Sequence, residues 1–197
     1  MQIDIDPIFS KELLEQNPED VCERALCKYN HVKKCYNLIV LADEYSIFPY
    51  ESKIERISNN FCAPHKNLYL FIIQYLLKAK KINLYNEWIS QNDIQGGPTF
   101  FRGPHQIPTN FISSHYKYDI DKFKIACEKF NGVFIDMADA AYVFKVTPRI
   151  QVAVLYWSGD DEFLPEAKLL YDKSIIKHLS LDIVFALSVD ICTRIGQ

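Results

Sequence analysis

The sequence predicts an α+β fold, a single compact domain in which antiparallel hairpins pack against several helices. Two pairs of neighbouring segments rich in β-branched and aromatic residues indicate the hairpins. Helical segments lie before, between and after these pairs, without the regular strand–helix–strand alternation of a parallel sheet. The 197 residues contain no repeat or Gly/Ser linker, and this length is typical of one domain. We therefore expect one domain over 1–197, with an N-terminal helical segment at about 10–30 and an α+β body at about 36–197.

The N-terminal segment predicts two short helices. The first covers 11–16 and follows Ser10. Asn17 is a candidate N-cap for the second, because its side chain can accept from free N–H groups and Pro18 suits the first helical position. The second helix is expected to run from 18 to about 28.

The first predicted hairpin joins strands 36–40 and 44–48, and Pro49 ends it. The stretch 68–80 that follows is apolar almost all round, which is typical of a helix buried in the centre of a domain. The segment 87–108 is rich in Gly, Pro and polar residues, and we expect a long loop there.

The C-terminal half also predicts helices and a hairpin. Asp119 can cap a helix that ends near Gly132. The strands 142–146 and 150–156 form the clearest hairpin of the sequence, and a last helix is expected over 180–194.

Composition excludes several classes of protein. Hydrophobic residues make up 49% of the chain and charged residues 24%. These fractions are typical of soluble globular proteins and exclude a disordered or fibrous protein. The net charge of −3 does not point to nucleic acid, because proteins that bind nucleic acid usually carry a strongly basic face. The longest apolar run, 68–77, is shorter than the roughly 20 residues of a membrane span. We expect a cytoplasmic protein without a secretory signal, with no nucleic-acid or membrane partner and with its six cysteines reduced.

The sharpest local motif is the acidic turn, the segment from Trp157 to Phe163 that follows an apolar strand. Its three acids are Asp160, Asp161 and Glu162, and Asp172 can join them. Such a cluster can bind a cation or supply a general acid or base. The alternative is a solvated turn in which an Asp caps the next segment.

A second candidate site lies in the predicted loop, where Phe101, Arg102 and His105 follow a Gly-Gly-Pro sequence. An arginine suits carboxylate or phosphate groups, and a histidine can carry a proton. The glycines lack the spacing of a nucleotide-binding loop. The alternative is that Arg102 pairs with the acids near 160 and only fixes the loop. Under both interpretations the loop and the acidic turn meet in space.

Cys22, Cys27, His31 and Cys35 are spaced C-x4-C-x3-H-x3-C, which is not the usual spacing of a zinc site. On a helix reaching residue 28, Cys22 and Cys27 would point in different directions. We predict no metal there, and the Cys-Ala-Pro-His sequence from Cys62 is a weaker candidate still.

Aromatic residues make up 14% of the chain and divide into two groups. Those in periodic apolar segments are expected in the core. Those bordering the predicted loop can line a ligand pocket or simply pack beneath the loop. The second group contains Tyr85, Trp88, Phe100, Phe101, Tyr116, Tyr118, Tyr156 and Trp157.

The acidic turn, together with Ala138-Asp139-Ala140-Ala141-Tyr142, Pro148-Arg149, Leu170-Tyr171-Asp172 and the loop from Phe101 to His105, resembles a bacterial family, domain of unknown function 3786. The resemblance covers most of the chain from about residue 12. It departs at Tyr171, where Phe is expected, and at Asp182, where Glu is expected.

The resemblance implies no established activity. Relatives occur largely in anaerobic bacteria, and some carry an iron–sulfur domain like those of corrinoid iron–sulfur proteins. It therefore implies a link to anaerobic corrinoid, one-carbon or redox metabolism, with an iron–sulfur or corrinoid protein as a partner. This chain lacks the closely spaced cysteines of the cluster domain.

The first functional hypothesis is a domain that binds a small molecule or an unidentified cofactor in an aromatic-lined pocket. Arg102 and His105 would face Asp160 and Glu162, with Phe101, Trp157, Asp161 and Asp172 nearby. The second is a hydrolase or lyase that uses an acid of the turn with His105. The third is a protein-interaction module in which Arg102 and the acids form a structural network.

Overall fold

The computed structural model describes residues 2–58 and 63–197, apart from the side chain of Gln2. Within these ranges it contains two antiparallel five-stranded sheets with helices packed against them. This confirms the predicted α+β fold. Cys62 lies outside the described residues.

The first sheet is built from the N-terminal part of the chain. Its strands are β1 (Gln2–Asp4), β2 (Lys28–Asn30), β3 (Cys35–Val40), β4 (Asp43–Phe48) and β5 (Lys53–Arg56), in the spatial order β1-β5-β4-β3-β2. The predicted first hairpin is β3–β4, and its register runs from the pair Tyr36–Ile47 to the pair Val40–Asp43.

The second sheet is built from the C-terminal part. Its strands are β6 (Trp88–Ile89), β7 (Val133–Ile135), β8 (Ala140–Thr147), β9 (Ile150–Trp157) and β10 (Glu166–Asp172), in the spatial order β6-β10-β9-β8-β7. The predicted second hairpin is β8–β9. The strand β10, which forms one wall of the candidate site, was not predicted from the sequence.

The helices of the described chain are α1 (Pro7–Leu14), α2 (Pro18–Ala25), α3 (Asn67–Lys78), α4 (Gly97–Phe100), α5 (Asn110–Tyr116), α6 (Ile120–Lys129), α7 (Ile175–His178) and α8 (Leu181–Ile195). Within the described ranges, none of them has the length and apolarity needed to cross a membrane. The helices α3 and α8 pack against each other, and most of their apolar residues lie in the main core cluster. The stretch predicted as the central buried helix is therefore α3.

Two predicted helix starts are confirmed by their caps. The side chain of Asn17 accepts from the N–H groups of Glu19 and Asp20 at 2.8 and 3.3 Å. The side chain of Asp119 accepts from the N–H of Lys122 at 3.1 Å. Each cap satisfies N–H groups that have no partner within the first turn of a helix.

The predicted end of α2 is wrong. The helix stops at Ala25 and not near residue 28, because Leu26 adopts a left-handed conformation with φ of 52°. A leucine rarely adopts this conformation, so the sequence gives no signal for it. The turn at Leu26 brings Cys27 back toward Cys22, so these side chains do not point in different directions.

A buried ionic cluster joins the first sheet to α8. Arg194 lies 2.7 Å from Asp43 and 3.0 Å from Asp190, and its guanidinium also donates to the Tyr45 hydroxyl at 2.9 Å. Arg56 contacts the second oxygen of Asp43 at 2.9 Å. Two arginines and two aspartates therefore balance in charge, as buried ions require.

The two aspartates of the ionic cluster differ in their pKa. Burial raises the pKa of Asp190 to about 6, although Arg194 and the N–H of His65 oppose the shift. Burial acts on Asp43 in the same sense, but hydrogen bonds from Ser58 and two arginines outweigh it and lower the pKa of Asp43 below its usual value. Asp43 is thus the firmly ionised partner.

Arg149, in the β8–β9 turn, holds the second sheet to two other segments. Its guanidinium donates to the carbonyls of Arg24, Ile82 and Glu23 at 2.6, 2.9 and 3.2 Å. Nearby, the buried His178 accepts from the N–H of Lys80 at 3.2 Å. Burial, reinforced by the charges of Arg149 and Lys80, lowers the pKa of His178 to about 4.

Replacing Arg194 by alanine is expected to lower the free energy of unfolding by about 3–5 kcal/mol, because it removes the cation that pairs with the buried Asp190 and leaves Arg56 as the arginine that contacts Asp43. Urea denaturation measures the change. Arg102→Ala is the matched control, since Arg102 is exposed, and it should cost no more than about 0.5 kcal/mol. Equal costs for the two substitutions would contradict a structural role for the ionic cluster.

The pKa of His178 predicts a loss of stability in acid. Between pH 6.5 and 4 the unfolded chain takes up a proton at this residue while the folded chain does not. The folded state should therefore lose up to about 3 kcal/mol as the pH falls through this window.

His178→Asn removes the titration and keeps an acceptor near Nδ1, so the variant should lose less stability than the parent between pH 7 and pH 4. Asp190 acts in the opposite sense, since its raised pKa favours the folded state as the pH falls below about 6. Its contribution is common to both proteins and cancels in the difference. Denaturation curves that change identically with pH would contradict the assignment.

Candidate functional site

A groove of about 660 Å³ lies between β10 and the segment 90–109. One wall is β10 from Glu166 to Leu170. The other wall consists of mostly polar residues of the segment 90–109, namely Ser90, Gln91, Asn92, Phe101, Arg102, Gly103, Gln106, Ile107 and Thr109. We call this space the β10 groove.

The segment 90–109 is a fixed structure and not an extended loop. Asp93 accepts from the N–H and hydroxyl of Ser90 at 2.8 and 2.7 Å. A Cβ atom at Gly97 would lie 1.9 Å from the carbonyl oxygen of Gln91, so only glycine fits the close approach there. Ile94, Phe101 and Ile107 are buried in the core. These contacts hold the groove-lining side chains in place.

The edge of β10 that faces the groove is only partly paired. On an antiparallel strand, alternate residues direct their main-chain groups to the same side. The N–H of Lys173 donates to the carbonyl of Glu87, on the β6 side of the strand, at 2.8 Å. The main-chain N–H and C=O groups of the alternate residues Tyr171, Leu169 and Ala167 therefore point to the same side. Tyr171 pairs with Ile89, where β6 ends.

Ala167 and Leu169 therefore present main-chain N–H and C=O groups to the β10 groove, with no strand of the described chain paired to them. A strand edge of this kind can bind an amide or a peptide group.

Arg102 is the cation of the predicted site that reaches the groove. It is exposed, and the described residues include no acid within ion-pair distance of its guanidinium. Lys168, on the opposite wall, is engaged by Glu166 at 3.1 Å and lies 5.1 Å from the centre of the Trp157 ring. A guanidinium without a protein partner is suited to a planar anion such as a carboxylate.

His105 belongs to the same loop but packs elsewhere. Its ring stacks on Phe100, with centroids 4.6 Å apart, and meets Phe185 edge-on at 5.4 Å. It does not line the β10 groove. Phe101 and Arg102 thus reach the groove, whereas His105 lies against α8.

The acidic turn is held by hydrogen bonds between its own residues. Asp160 accepts from the N–H groups of Glu162 and Phe163 at 2.8 and 2.7 Å, and its own N–H donates to the carbonyl of Phe163 at 2.9 Å. Asp160, Asp161 and Glu162 are exposed. This is the geometry of a solvated turn capped by an aspartate.

In the described chain none of the three acids forms an ion pair with Arg102 or His105. The expected facing of Arg102 and His105 onto Asp160 and Glu162 is therefore not found, because the acids point to solvent and β10 occupies the place opposite Arg102. Trp157 is one strand further away, paired in register with Glu166 at the rim of the groove.

Asp172 is buried and bound to the main chain. Its carboxylate accepts from the N–H groups of Tyr85, Asn86 and Ser174 at 3.0, 2.7 and 2.9 Å. Burial alone would raise its pKa, but these hydrogen bonds outweigh it and the pKa of Asp172 is lowered. Asp172 orders the turn that leads into β6, beside the groove.

Of the aromatic residues expected around a pocket, Phe101 lines the β10 groove of the described chain. Tyr116 and Tyr156 are buried with Phe123, whose ring stacks on that of Tyr156 with centroids 4.7 Å apart. Core packing against α6 therefore explains Tyr116 and Tyr156, and the groove is mainly polar.

Part of the groove lining was not predicted from the sequence, namely Asn92, Gln106, Thr109 and the main chain of β10. One signal was present: in 166–172, Ala167, Leu169 and Tyr171 alternate with Glu166 and Lys168, which is the period of a half-buried strand. Within residues 2–58 and 63–197 no three His, Cys, Asp or Glu side chains are arranged to hold a metal ion.

A family model described as Domain of unknown function (DUF3786) matches residues 17–194. No curated protein and no solved structure shows significant similarity to the chain.

Asp172→Ala is expected to destabilise the protein by at least about 2 kcal/mol, because three N–H groups lose their acceptor. Asp161→Ala is the matched control, since Asp161 is exposed in the acidic turn, and it should change stability by less than about 0.5 kcal/mol. Thermal and urea denaturation measure both. A stable Asp172→Ala variant would show that this carboxylate is not needed for the fold.

Proposed function

The chain belongs to the DUF3786 family of domains of unknown function, and from its own geometry we propose that it binds a small polar ligand in the β10 groove. The ligand class is a carboxylate that also carries amide groups. The observation that carries the proposal is that one groove contains both an arginine and the edge of a strand, and among the described residues the arginine has no acidic partner and this part of the edge has no paired strand.

The size of the groove supports a small-molecule ligand. Pockets for such ligands commonly measure about 300–1,000 Å³, and the groove measures about 660 Å³. A few polar groups at fixed positions are usually enough to orient the ligand. Here Arg102, Asn92 and Gln106 supply polar side chains on one wall.

The charges around the groove support an anionic ligand. Lys168 is compensated by Glu166, whereas Arg102 has no such partner among the described residues. A carboxylate held by an arginine fork makes two parallel, charge-assisted hydrogen bonds. Amide groups of the same ligand can then pair with the main chain of Ala167 and Leu169.

The catalytic and interaction hypotheses have less support. Catalysis by His105 with an acid needs the two groups at one point, but His105 packs on Phe100 and Phe185 while the acids lie in the solvated turn. A structural network around Arg102 would need acids in contact with it. The cytoplasmic location, the link to anaerobic metabolism and the iron–sulfur or corrinoid partner stay predictions from sequence and resemblance.

A titration followed by amide NMR shifts tests the proposal. The probe is N-acetyl-trialanine with a free carboxylate, compared with the same peptide as its C-terminal amide. The acid should shift the amide signals of Ala167, Leu169 and Gln106, and the amide should bind about tenfold more weakly, because it lacks the charge-assisted bonds.

Arg102→Ala should abolish the preference for the acid, while Lys145→Ala, which removes an exposed positive charge outside the groove, should preserve it. The proposal would be wrong if the groove amides did not respond to the acid. It would also be wrong in its use of Arg102 if acid and amide bound equally.

A further inference from the structure

Two cysteines meet where α2 ends and β2 begins. The sulfur atoms of Cys22 and Cys27 lie 3.8 Å apart. Cys22 is on the last turn of α2, and the left-handed Leu26 turns the chain so that Cys27 faces it. The N–H of Cys27 donates to the carbonyl of Cys22 at 3.2 Å, so the main chain of this loop is already closed.

This pair differs from the other described cysteines in its access to solvent. Cys35, Cys127 and Cys192 are buried, whereas Cys22 and Cys27 are both partly exposed. Cys27 is the deeper of the two. A reagent in solution can therefore reach Cys22 first, with Cys27 in contact behind it.

We propose that Cys22 and Cys27 form a redox-active dithiol, which a small disulfide such as oxidised glutathione converts to an intramolecular disulfide. The sulfurs need to approach by only about 1.8 Å to reach bonding distance. This proposal does not depend on ligand binding in the β10 groove.

The exchange balances in two steps. The Cys22 thiol loses its proton, and its thiolate attacks one sulfur of the small disulfide, breaking the S–S bond and releasing a thiolate that takes up a proton. The Cys27 thiolate then attacks the Cys22 sulfur of the mixed disulfide and releases the second thiol in the same way. Two protein thiols are oxidised, and one small disulfide is reduced to two thiols.

The surroundings set the rate of this exchange. Burial raises the pKa of both thiols, and Glu19 adds to the effect on Cys22. Since the thiolate is the attacking form, the dithiol is slow at neutral pH and its rate should rise about tenfold per pH unit up to pH 8.5. The pair therefore responds to sustained oxidation and not to brief exposure.

The disulfide would lie within a contact region of the fold. The loop it closes, 22–27, contains the carbonyls of Glu23 and Arg24 that accept from Arg149. Oxidation therefore fixes the loop to which the β8–β9 turn is bound.

Peptide mapping tests the proposal directly. The reduced full chain is treated with oxidised glutathione at pH 8.5, alkylated and digested with trypsin without reduction. Cleavage after Lys11, Arg24 and Lys28 places Cys22 in peptide 12–24 and Cys27 in peptide 25–28. The expected product is these two peptides joined by a disulfide, lighter by two hydrogen atoms than the reduced pair.

Cys22→Ser should abolish the linked product, and Cys35→Ser, the control, should leave it unchanged. The proposal is overturned if 12–24 and 25–28 are recovered separately and alkylated, or if either is joined to another cysteine. Cys62 lies in its own peptide, 57–66, so a link to it would be recognised. The wild-type map decides the question even if a variant fails to fold.

Discussion

The ion pair between Arg194 and Asp43 is the contact on which the arrangement of the other elements depends. Both groups are buried, and they join α8 to β4 across 151 positions of sequence. Removing such charges from water is costly unless every one is paired. Asp190, Arg56 and Tyr45 complete the pairing. This requirement places α8 at one position against the first sheet, because a shift along the helix would leave a buried charge without its partner.

The position of α8 in turn helps to set the position of the β10 groove. On this helix, the hydroxyl of Ser188 lies 2.6 Å from that of Tyr171 on β10. The helix therefore holds the strand whose free edge forms one groove wall. Asp172, the next residue, fixes the turn before β6 by accepting from the N–H groups of Tyr85 and Asn86, and it also accepts from the N–H of Ser174. The groove is thus positioned by buried polar contacts of the second sheet and α8, while its polar side chains Asn92, Arg102 and Gln106 stay exposed.

Local signals in the sequence predict much of this fold but little of what joins distant segments. The caps at Asn17 and Asp119 and the two hairpins follow from short-range chemistry, and they are found as predicted. The partners Asp43 and Arg194 are too far apart in sequence for any pattern to connect them.

Phe101 and Arg102 were predicted as site residues from the sequence, and both line the groove. Their neighbours on β10 were missed because a strand edge binds through its main chain, which has no side-chain motif. The contact between Cys22 and Cys27 was not predicted either, because it depends on the left-handed conformation of Leu26, which has no sequence signal.

The partly paired edge of β10 also affects the tendency of this protein to aggregate. An unpaired strand edge is a template on which a second chain can add a strand, and this is a common route to aggregation. The segment 90–109 runs beside this edge and blocks the straight approach that a strand from another copy would need. Glu166 and Lys168 add charges at the same place, which natural sheets use for protection. The segment 90–109, which forms one wall of the β10 groove, therefore also protects this strand edge against β-sheet polymerisation.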